Sequence, residues 1–370
     1  MTANKKNKKI KNKNVLYIIE IFILVALSAF LSVISAVLPI INLWGLLCVG
    51  VSAALFACAL FLLNPGVIII SGAISFIAAF TVNGNIVNAF ASLAYIIIGA
   101  FIYFGVKRKL NRTQITVGII CALSVFYICL IIFGFLSSEG TFSVRMASSA
   151  IENNLSGVIK VYTDQYYSAL SQYSESAAEA AYLSEAYAAE LILNLKALTP
   201  SFFILFVSAC AYLSTAFFRV AYNIFIPMAN PNRKKIKNKY WRVSVSSVSA
   251  IIMITAIFFM ILLSGHSNPI PRIVLTNFVY ILTPGLCVTG IYFIYDKLFK
   301  SVSRFITVAI VSCVALFAFI FLMPVATIYV VMTILTVAGL YAALIGDIKK
   351  FYEKAKKFMI GDDDDDDWLD

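Results

Sequence analysis

The chain has 370 residues, of which 61% are hydrophobic and 13% are charged. Soluble globular proteins carry about 25% charged residues, so the composition excludes a soluble domain and indicates a membrane protein. The formal net charge is +11. Its basic residues form short scattered clusters rather than one surface with interleaved aromatic residues, and we therefore expect no nucleic-acid partner.

Ten apolar runs follow one another along the chain, and each approaches the ~20 residues that a membrane-spanning helix needs. Breakers such as Pro39 and the segment Asn83-Gly84-Asn85 separate neighbouring runs. The predicted fold class is all-α, a polytopic membrane helix bundle of about ten transmembrane helices. The third run is short, which leaves eight or nine spans open. The runs comprise residues 15–38, 40–63, 67–82, 86–106, 115–136, 202–222, 243–264, 273–295, 305–323 and 325–346.

The basic residues set the expected orientation, because Lys and Arg stay on the cytoplasmic side of a membrane. With ten spans and the N-terminus inside, the outer segments hold only four of the 29 basic residues: Arg145, Lys160, Lys196 and Arg272. We therefore predict a bacterial plasma-membrane protein with both termini in the cytoplasm. The first run is long and leads into further spans, which favours an uncleaved helix over a signal peptide.

The predicted organisation has five parts, and one of them lies outside the bilayer. A basic cytoplasmic tail, residues 1–14, precedes a first five-span bundle, residues 15–136. An extracytoplasmic segment, residues 137–200, leads to a second five-span bundle, residues 201–346, and to a cytoplasmic tail, residues 347–370. Apolar residues at helical spacing in two stretches of the outer segment, 144–170 and 175–198, predict an amphipathic helical hairpin.

The outer hairpin has two possible roles. It can be a solvated cover that links the two bundles, or a lid over an outward-facing cavity that binds a small molecule. As a lid it offers tyrosine rings and hydroxyls to the ligand. Tyrosines also anchor helices at the membrane interface, so both interpretations stay open. The candidate ligand-binding residues are Tyr162, Tyr166, Tyr167 and Tyr173.

Two ionisable residues lie within the predicted spans, Glu20 in the first and Arg219 in the sixth. Charges inside a bilayer are costly, so we hypothesise that they form an ion pair joining the two bundles. Alternatively, Arg219 extends to the interface and Glu20 faces a polar crevice. Span asparagines, such as Asn88 and Asn223, are expected to hydrogen-bond between helices. Ser28 and Ser32, with Ala36, form a small-residue stripe suited to close helix packing.

No residue pattern points to catalysis or to a resident metal. The sequence lacks a Walker loop, an HExxH motif and a nucleophile elbow. His266 is the single histidine, and the seven cysteines lie in apolar runs without a CxxC pair. We predict that the protein is not an enzyme and needs no cofactor.

The C-terminal tail changes from basic to strongly acidic. Such charge blocks are solvated and often bind partners. The tail is either a solubilising end or a docking segment for a basic protein partner, with two apolar residues as its anchor. It could also fold back on the basic residues of 233–242, in a contact that would weaken with salt. Its residues are Asp362, Asp363, Asp364, Asp365, Asp366, Asp367, Trp368 and Leu369.

Three stretches resemble the YybS-like family of uncharacterised bacterial integral membrane proteins. Residues 181–220, AYLSEAYAAELILNLKALTPSFFILFVSACAYLSTAFFRV, look like its acidic helix, Pro-Ser junction and following span. Residues 336–354, TVAGLYAALIGDIKKFYEK, are similar to its last helix. Residues 277–290, NFVYILTPGLCVTG, also look familial, although Pro284-Gly285 replaces the usual Gln-Gly. The resemblance implies an integral membrane protein of unassigned function.

The glycine-bearing helices of residues 64–106 are similar to those of substrate-capture subunits of energy-coupling-factor importers. That similarity implies a subunit that binds a small molecule from outside and depends on separate ATPases. Two functions follow from the sequence. The first is a small-molecule-binding or transport subunit without its own ATPase, and the alternative is a cell-envelope interaction or assembly protein that uses the outer hairpin and the acidic tail.

Overall fold

The computed structural model describes residues 24–35, 43–63, 66–170, 177–229, 235–236, 243, 245–263, 270–301 and 330–345. Every regular element in these residues is an α-helix, which confirms the predicted all-α class. Glu20, Tyr173, His266 and the acidic tail lie outside the described residues, as does the ninth predicted run, residues 305–323.

The described residues form twelve helices, which we number in chain order. They are α1 Leu24–Ser35, α2 Leu43–Leu62, α3 Val67–Asn83, α4 Ile86–Ala91, α5 Ala94–Lys107, α6 Arg112–Glu139, α7 Val144–Leu170, α8 Ala177–Ala197, α9 Thr199–Ala229, α10 Ser247–Leu262, α11 Ile270–Ser301 and α12 Val330–Ile345.

Five helical segments in the described residues are long and apolar enough to cross a membrane: Trp44–Leu62, Ile86–Lys107, Arg112–Glu139, Thr199–Pro227 and Ile270–Tyr295. Shorter apolar helices lie at α1, α3, α10 and α12. Large apolar side chains cover the outward faces of these helices; on α3, for example, Ile69, Ile70 and Ile77 are exposed. Such faces are compatible with a lipid environment.

The chain divides into two compact units, Met1–Trp241 and Arg242–Asp370. In the first unit α2 is the central helix, and residues 52–60 are buried without interruption. Helix α9 packs on one part of α2 and α5 on another, while α6 contacts both α5 and α9. A helix that is apolar all round, as α2 is, belongs in the interior of a bundle.

Small residues allow the helices around α2 to approach closely. A Cβ added to Gly99 of α5 would lie 2.7 Å from Phe56 Cδ1 and 3.1 Å from the Ala53 carbonyl oxygen. A Cβ added to Gly50 of α2 would lie 3.1 Å from Leu213 Cβ of α9. Backbone-to-backbone proximity of this kind supplies the packing energy that joins helices in a membrane.

Buried hydroxyl groups connect α1 to the rest of the first unit. Ser52 Oγ of α2 donates to the Ser28 carbonyl oxygen at 2.6 Å, and Ser32 Oγ donates to the carbonyl oxygen of Ser92. The side chains of Ser28 and Ser32 are both fully enclosed. The stripe predicted from Ser28 and Ser32 therefore lies against neighbouring helices, and its third member, Ala36, is outside the described residues.

Helices α7 and α8 pack against each other within the first unit. Lys196 Nζ, near the end of α8, lies 2.8 Å from Glu152 Oε2, near the start of α7, so the two helices run antiparallel. Both side chains are partly exposed, and such an ion pair contributes at most about 1 kcal/mol. On α8 the Ser184 side chain is buried, whereas Glu179 and Glu190 are exposed.

The second unit contains α10, α11 and α12. Gly290 of α11 and Gly339 of α12 meet at a crossing where a Cβ on either residue would overlap a backbone carbonyl oxygen of the other helix, Leu335 or Leu286. Cys287 Sγ lies 3.2 Å from Thr336 Oγ1 at the same crossing. Glycine is required here by the closeness of the two backbones.

Substituting Gly99 tests the central packing. We expect Gly99→Ala to lower the free energy of unfolding by about 1–3 kcal/mol, because the added methyl group overlaps Phe56 and α2. Gly118→Ala in α6 is the matched control, since its Cβ would lie 3.4 Å from Phe101 Cδ1 in ordinary contact. Thermal unfolding in detergent measures both, and equal stability of the two variants would contradict the packing described for α2 and α5.

Candidate functional site

A cavity of about 460 Å³ lies in the first unit, between five helices. Helices α1, α2, α4, α6 and α9 each contribute part of its wall. The lining residues are Ser35, Gly45, Leu46, Val49, Val87, Asn88, Ala91, Tyr127, Leu130, Ile131, Gly134, Phe135, Ser138, Phe203 and Phe206. Most of these side chains are apolar, as is typical of small-molecule sites, which span about 300–1,000 Å³.

The positions of the lining residues place the cavity at one end of the first unit. They lie at the end of α1, the start of α2, the second half of α6 and the start of α9. Helix α6 leads into α7, and α8 leads into α9. The cavity is therefore at the end of the helices to which the α7–α8 pair is attached.

A break between α4 and α5 forms part of the cavity wall. Residues 86–107 form one apolar segment of span length, as the sequence predicts, and a turn at Ser92 and Leu93 divides it into α4 and α5. Ser92 Oγ donates to the Ala89 carbonyl oxygen at 2.7 Å and to that of Ser75, on α3, at 3.3 Å. Side-chain hydroxyl groups that bond to nearby carbonyls compete with the regular helix ladder and bend it.

The short helix α4 makes aromatic contacts with α3 and with α6. Phe90 packs edge-on against Phe76 of α3, with ring centroids 5.0 Å apart, and against Phe133 of α6 at 5.6 Å. Asn85 begins α4, since its side-chain oxygen accepts a hydrogen bond from the Val87 amide at 2.8 Å. These contacts hold Val87, Asn88 and Ala91 of α4 at the cavity.

Tyr95, in the first turn of α5, connects the residues that follow the turn at Ser92 to two neighbouring helices. Its hydroxyl lies 2.6 Å from Ser71 Oγ and 2.8 Å from Ser75 Oγ, both on α3. Its ring packs edge-on against Phe56 of α2 at 5.2 Å. The tyrosine thus joins α2, α3 and α5, and its buried polar group is satisfied.

Four polar side chains line the cavity, and they differ in how they are bonded. Ser35 Oγ donates to the Ser32 carbonyl oxygen at 2.6 Å, and Ser138 Oγ donates to that of Gly134 at 3.0 Å. The Asn88 amide and the Tyr127 hydroxyl make no hydrogen bond to any part of the chain that the structure describes. These two groups are therefore available to a ligand.

Arg112 lies between the predicted runs 86–106 and 115–136, and in the structure it is a buried cation at the start of α6. Its side chain is 4% exposed; Nε donates to Thr215 Oγ1 at 3.1 Å and a terminal nitrogen donates to the Tyr212 carbonyl oxygen at 3.2 Å. Asn111 and Gln114 form a capping box that starts α6 at Arg112. The polar capping sequence before the apolar run is the signal that could have placed Arg112 on the helix.

The sequence-predicted site residues are only partly within the described residues. Tyr167 is exposed on α7 and is not among the residues that line the cavity. Tyr162 and Tyr166 lie on the same helix, and their side chains are not among those described. Arg219 Nε lies 3.4 Å from the Ile236 carbonyl oxygen; its predicted partner Glu20 and the acidic tail are outside the described residues.

Asn223 and Arg219 of α9 both hydrogen-bond to Ile236. The Asn223 side chain donates to the Ile236 carbonyl oxygen at 3.0 Å and accepts from the Ile236 amide at 2.7 Å. The sequence predicts bonds between helices for Asn223 and Asn88. Asn223 instead bonds a non-helical residue 13 positions away, and the Asn88 side chain makes no hydrogen bond within the described residues.

Comparison of the chain with protein-family models, with curated proteins and with solved structures gives no match in any of the three. The resemblance to the YybS-like family therefore stays a prediction. Within the described residues, no group of three His, Cys, Asp or Glu side chains is placed to hold a metal ion.

Replacing Arg112 tests its role in joining α6 to α9. We expect Arg112→Gln to lower the free energy of unfolding by about 2 kcal/mol, since hydrogen bonds to charged groups contribute about 1.5–3 kcal/mol. Arg112→Lys keeps the charge and recovers only part of the loss, because a Lys ammonium lacks the planar fork of Arg. The control is Arg108→Gln, at the exposed end of α5. If both glutamine variants unfold together in detergent, Arg112 has no such role.

Proposed function

We propose that the chain is a multi-pass membrane protein of about ten spans that binds a small molecule in the cavity of its first unit. It acts as a capture or transport subunit whose energy comes from a separate partner. The cavity, enclosed by five helices and bordered by the broken helix α4–α5, is the observation that carries the proposal. Broken helices recur at the binding sites of membrane transporters.

The proposed orientation places the cavity on the outer side of the bacterial plasma membrane. With both termini cytoplasmic, α6 runs outward and α9 runs inward. The end of the first unit that holds the cavity then faces outside, and the α7–α8 pair is the extracytoplasmic hairpin. In this arrangement the hairpin covers the entrance, and Tyr162, Tyr166, Tyr167 and Tyr173 contact the ligand as it enters.

The sequence supports dependence on a partner for transport. It contains no Walker loop, so ATP hydrolysis would come from another subunit. The similarity of residues 64–106 to substrate-capture subunits of energy-coupling-factor importers points the same way. Residues 67–91 of that region include α3 and α4, and α4 lines the cavity.

Blocking the cavity tests the proposed binding function. We expect a ligand found by thermal-shift screening of the purified full-length protein to raise Tm by about 5 °C at 100 times its Kd. Ala91→Trp places an indole in the cavity and abolishes the shift. Ile77→Trp, on the exposed face of α3, retains it. A ligand shift that survives Ala91→Trp would show that binding occurs elsewhere.

A cell-envelope interaction or assembly protein is the second candidate. The exposed face of α8 favours it, because Tyr182 is 71% exposed and Leu193 is 64% exposed on this helix. Exposed aromatic and aliphatic residues of this kind suit a protein partner. The acidic tail, residues 362–370, would contact a basic partner on the opposite side of the membrane.

A pull-down in mild detergent separates the two functions. The assembly function predicts that envelope proteins co-purify in stoichiometric amounts. Partners of α8 should no longer co-purify with the double variant Tyr182→Ser/Leu193→Ser, and partners of the tail should be absent after deletion of residues 362–370. Transport predicts instead a co-purified ATPase with its membrane coupling protein. Glu179→Gln on the exposed face of α8 serves as the control, because it removes a charge and no apolar area.

A further inference from the structure

We infer that the ligand of the cavity is an uncharged, mainly apolar molecule with one hydrogen-bonding group, and that Asn88 and Tyr127 bind this group. The inference rests on the proposed binding function and specifies its ligand class. It covers alcohols, amides and ketones on an aliphatic or aromatic body. Carboxylates, phosphates and amines that are ionised at neutral pH are excluded.

Within the part of the chain that the structure describes, the cavity wall carries no charged side chain, which is why an ionised ligand is excluded. No Asp, Glu, Lys or Arg is among the described residues that line the cavity. An ionised group brought into such an apolar space loses its hydration without gaining an opposite charge, which is strongly unfavourable. The buried charge of Arg112, in the same unit, does not change this. Its guanidinium group is bonded to Thr215 and Tyr212 of α9, and Arg112 is not part of the cavity wall.

The apolar body of the ligand follows from the remaining side chains. Leu46 and Val49 of α2, Leu130 of α6, and Phe203 and Phe206 of α9 contribute apolar surface from three helices. Glycines at positions 45 and 134 leave the wall without side chains at two points. A volume of about 460 Å³ lies within the range of small-molecule sites and is large enough for a drug-sized molecule.

The hydrogen-bonding group follows from Asn88 and Tyr127. A carboxamide has both a donor and an acceptor, and a phenol hydroxyl group can act as either. Neither side chain is bonded within the described residues, whereas the serines of the wall are bonded to backbone carbonyls. Both residues are half-buried, and a pure hydrocarbon would cover their polar atoms without bonding them, so a ligand that bonds to both side chains is preferred.

Their placement suits this role. Tyr127 is held by edge-on contacts with Phe126 at 5.5 Å and with Phe206 of α9 at 5.7 Å, which fixes the ring. Asn88 lies in the middle of α4, whose two ends are set by the Asn85 cap and the Ser92 break. Asn88 on α4 and Tyr127 on α6 therefore select a ligand by the position of its hydrogen-bonding group as well as by its polarity.

Three matched photoreactive probes test the ligand class. They share a ten-carbon chain with a mid-chain diazirine and differ only at the end, which is a primary alcohol, a carboxylate or a methyl group. Purified full-length protein is irradiated in detergent at pH 8, and labelling of α4 and α6 peptides is quantified by mass spectrometry. We expect saturable labelling by the alcohol, competed by 1-decanol, with a half-saturation at least tenfold below that of the carboxylate.

Variants assign the selectivity to the two polar groups. Asn88→Leu is expected to weaken alcohol labelling roughly three- to tenfold, the value of one hydrogen bond, and to leave methyl-probe labelling unchanged. Tyr127→Phe removes only the hydroxyl group and is expected to have a similar effect, which keeps the test valid if Asn88→Leu does not fold. Asn153→Leu on the exposed surface of α7 is the control.

The outcomes that overturn the inference are distinct from failure of the proposed function. Equal or stronger labelling by the carboxylate, still blocked by Ala91→Trp, overturns the ligand class and leaves the binding function in place. Alcohol labelling that disappears in phosphatidylcholine nanodiscs identifies a bilayer lipid chain as the occupant, and this also overturns the class. Absence of saturable cavity labelling by all three probes overturns the class, and if screening in addition finds no ligand blocked by Ala91→Trp, the binding function fails as well.

Discussion

The close packing of α2 between α5 and α9 is the constraint from which the geometry of the first unit follows. Apolar side chains gain little by leaving lipid for protein, so helix association in a membrane depends on dense backbone contact. Ala53 and Ala57 of α2 face Gly99 of α5 at such a contact. The packing of α5 on α2 fixes the position of Ser92, where α5 is joined to α4. Helix α4 then lies beside α6 rather than beside α2. The space between α4 and the helices α1, α2, α6 and α9 is the cavity.

A break in a membrane helix is tolerated only where its free backbone groups are bonded. Here the bonds come from hydroxyl groups on neighbouring helices: Ser32 donates to the Ser92 carbonyl oxygen, and Ser92 itself donates to α3. Tyr95 is held by two more serines on α3. The serines of α1 and α3 thus bond to the turn at Ser92 and to Tyr95, next to α4. Asn88 of α4 contributes a polar side chain to the cavity wall.

Hydropathy and helical spacing predict where helices lie because each helix satisfies its own backbone. Residues 144–170, predicted as helical, coincide with α7. The turn at Ser92 escapes such prediction, since serines donate to carbonyl oxygens within unbroken helices too, as Ser214 donates to that of Cys210 in α9. The cavity escapes it because its wall combines single faces of five helices. Arg112 falls outside the predicted run 115–136 because a hydropathy window gives no weight to the capping box that starts α6.

The buried charge of Arg112, in the first unit, lies outside the cavity wall. This placement affects which class of ligand the cavity could bind. Arg112 is buried, yet its donors are taken up by Thr215 and the Tyr212 carbonyl oxygen on α9. A cation used in this way orders α6 against α9 and leaves the ligand space neutral. The proposed ligand would then be distinguished by shape and by one or two hydrogen bonds, a mode in which a missing hydrogen bond is penalised more than a missing methylene. Selectivity of this kind depends on the rigidity of α4 and Tyr127, which returns it to the packing of α2, α5 and α9.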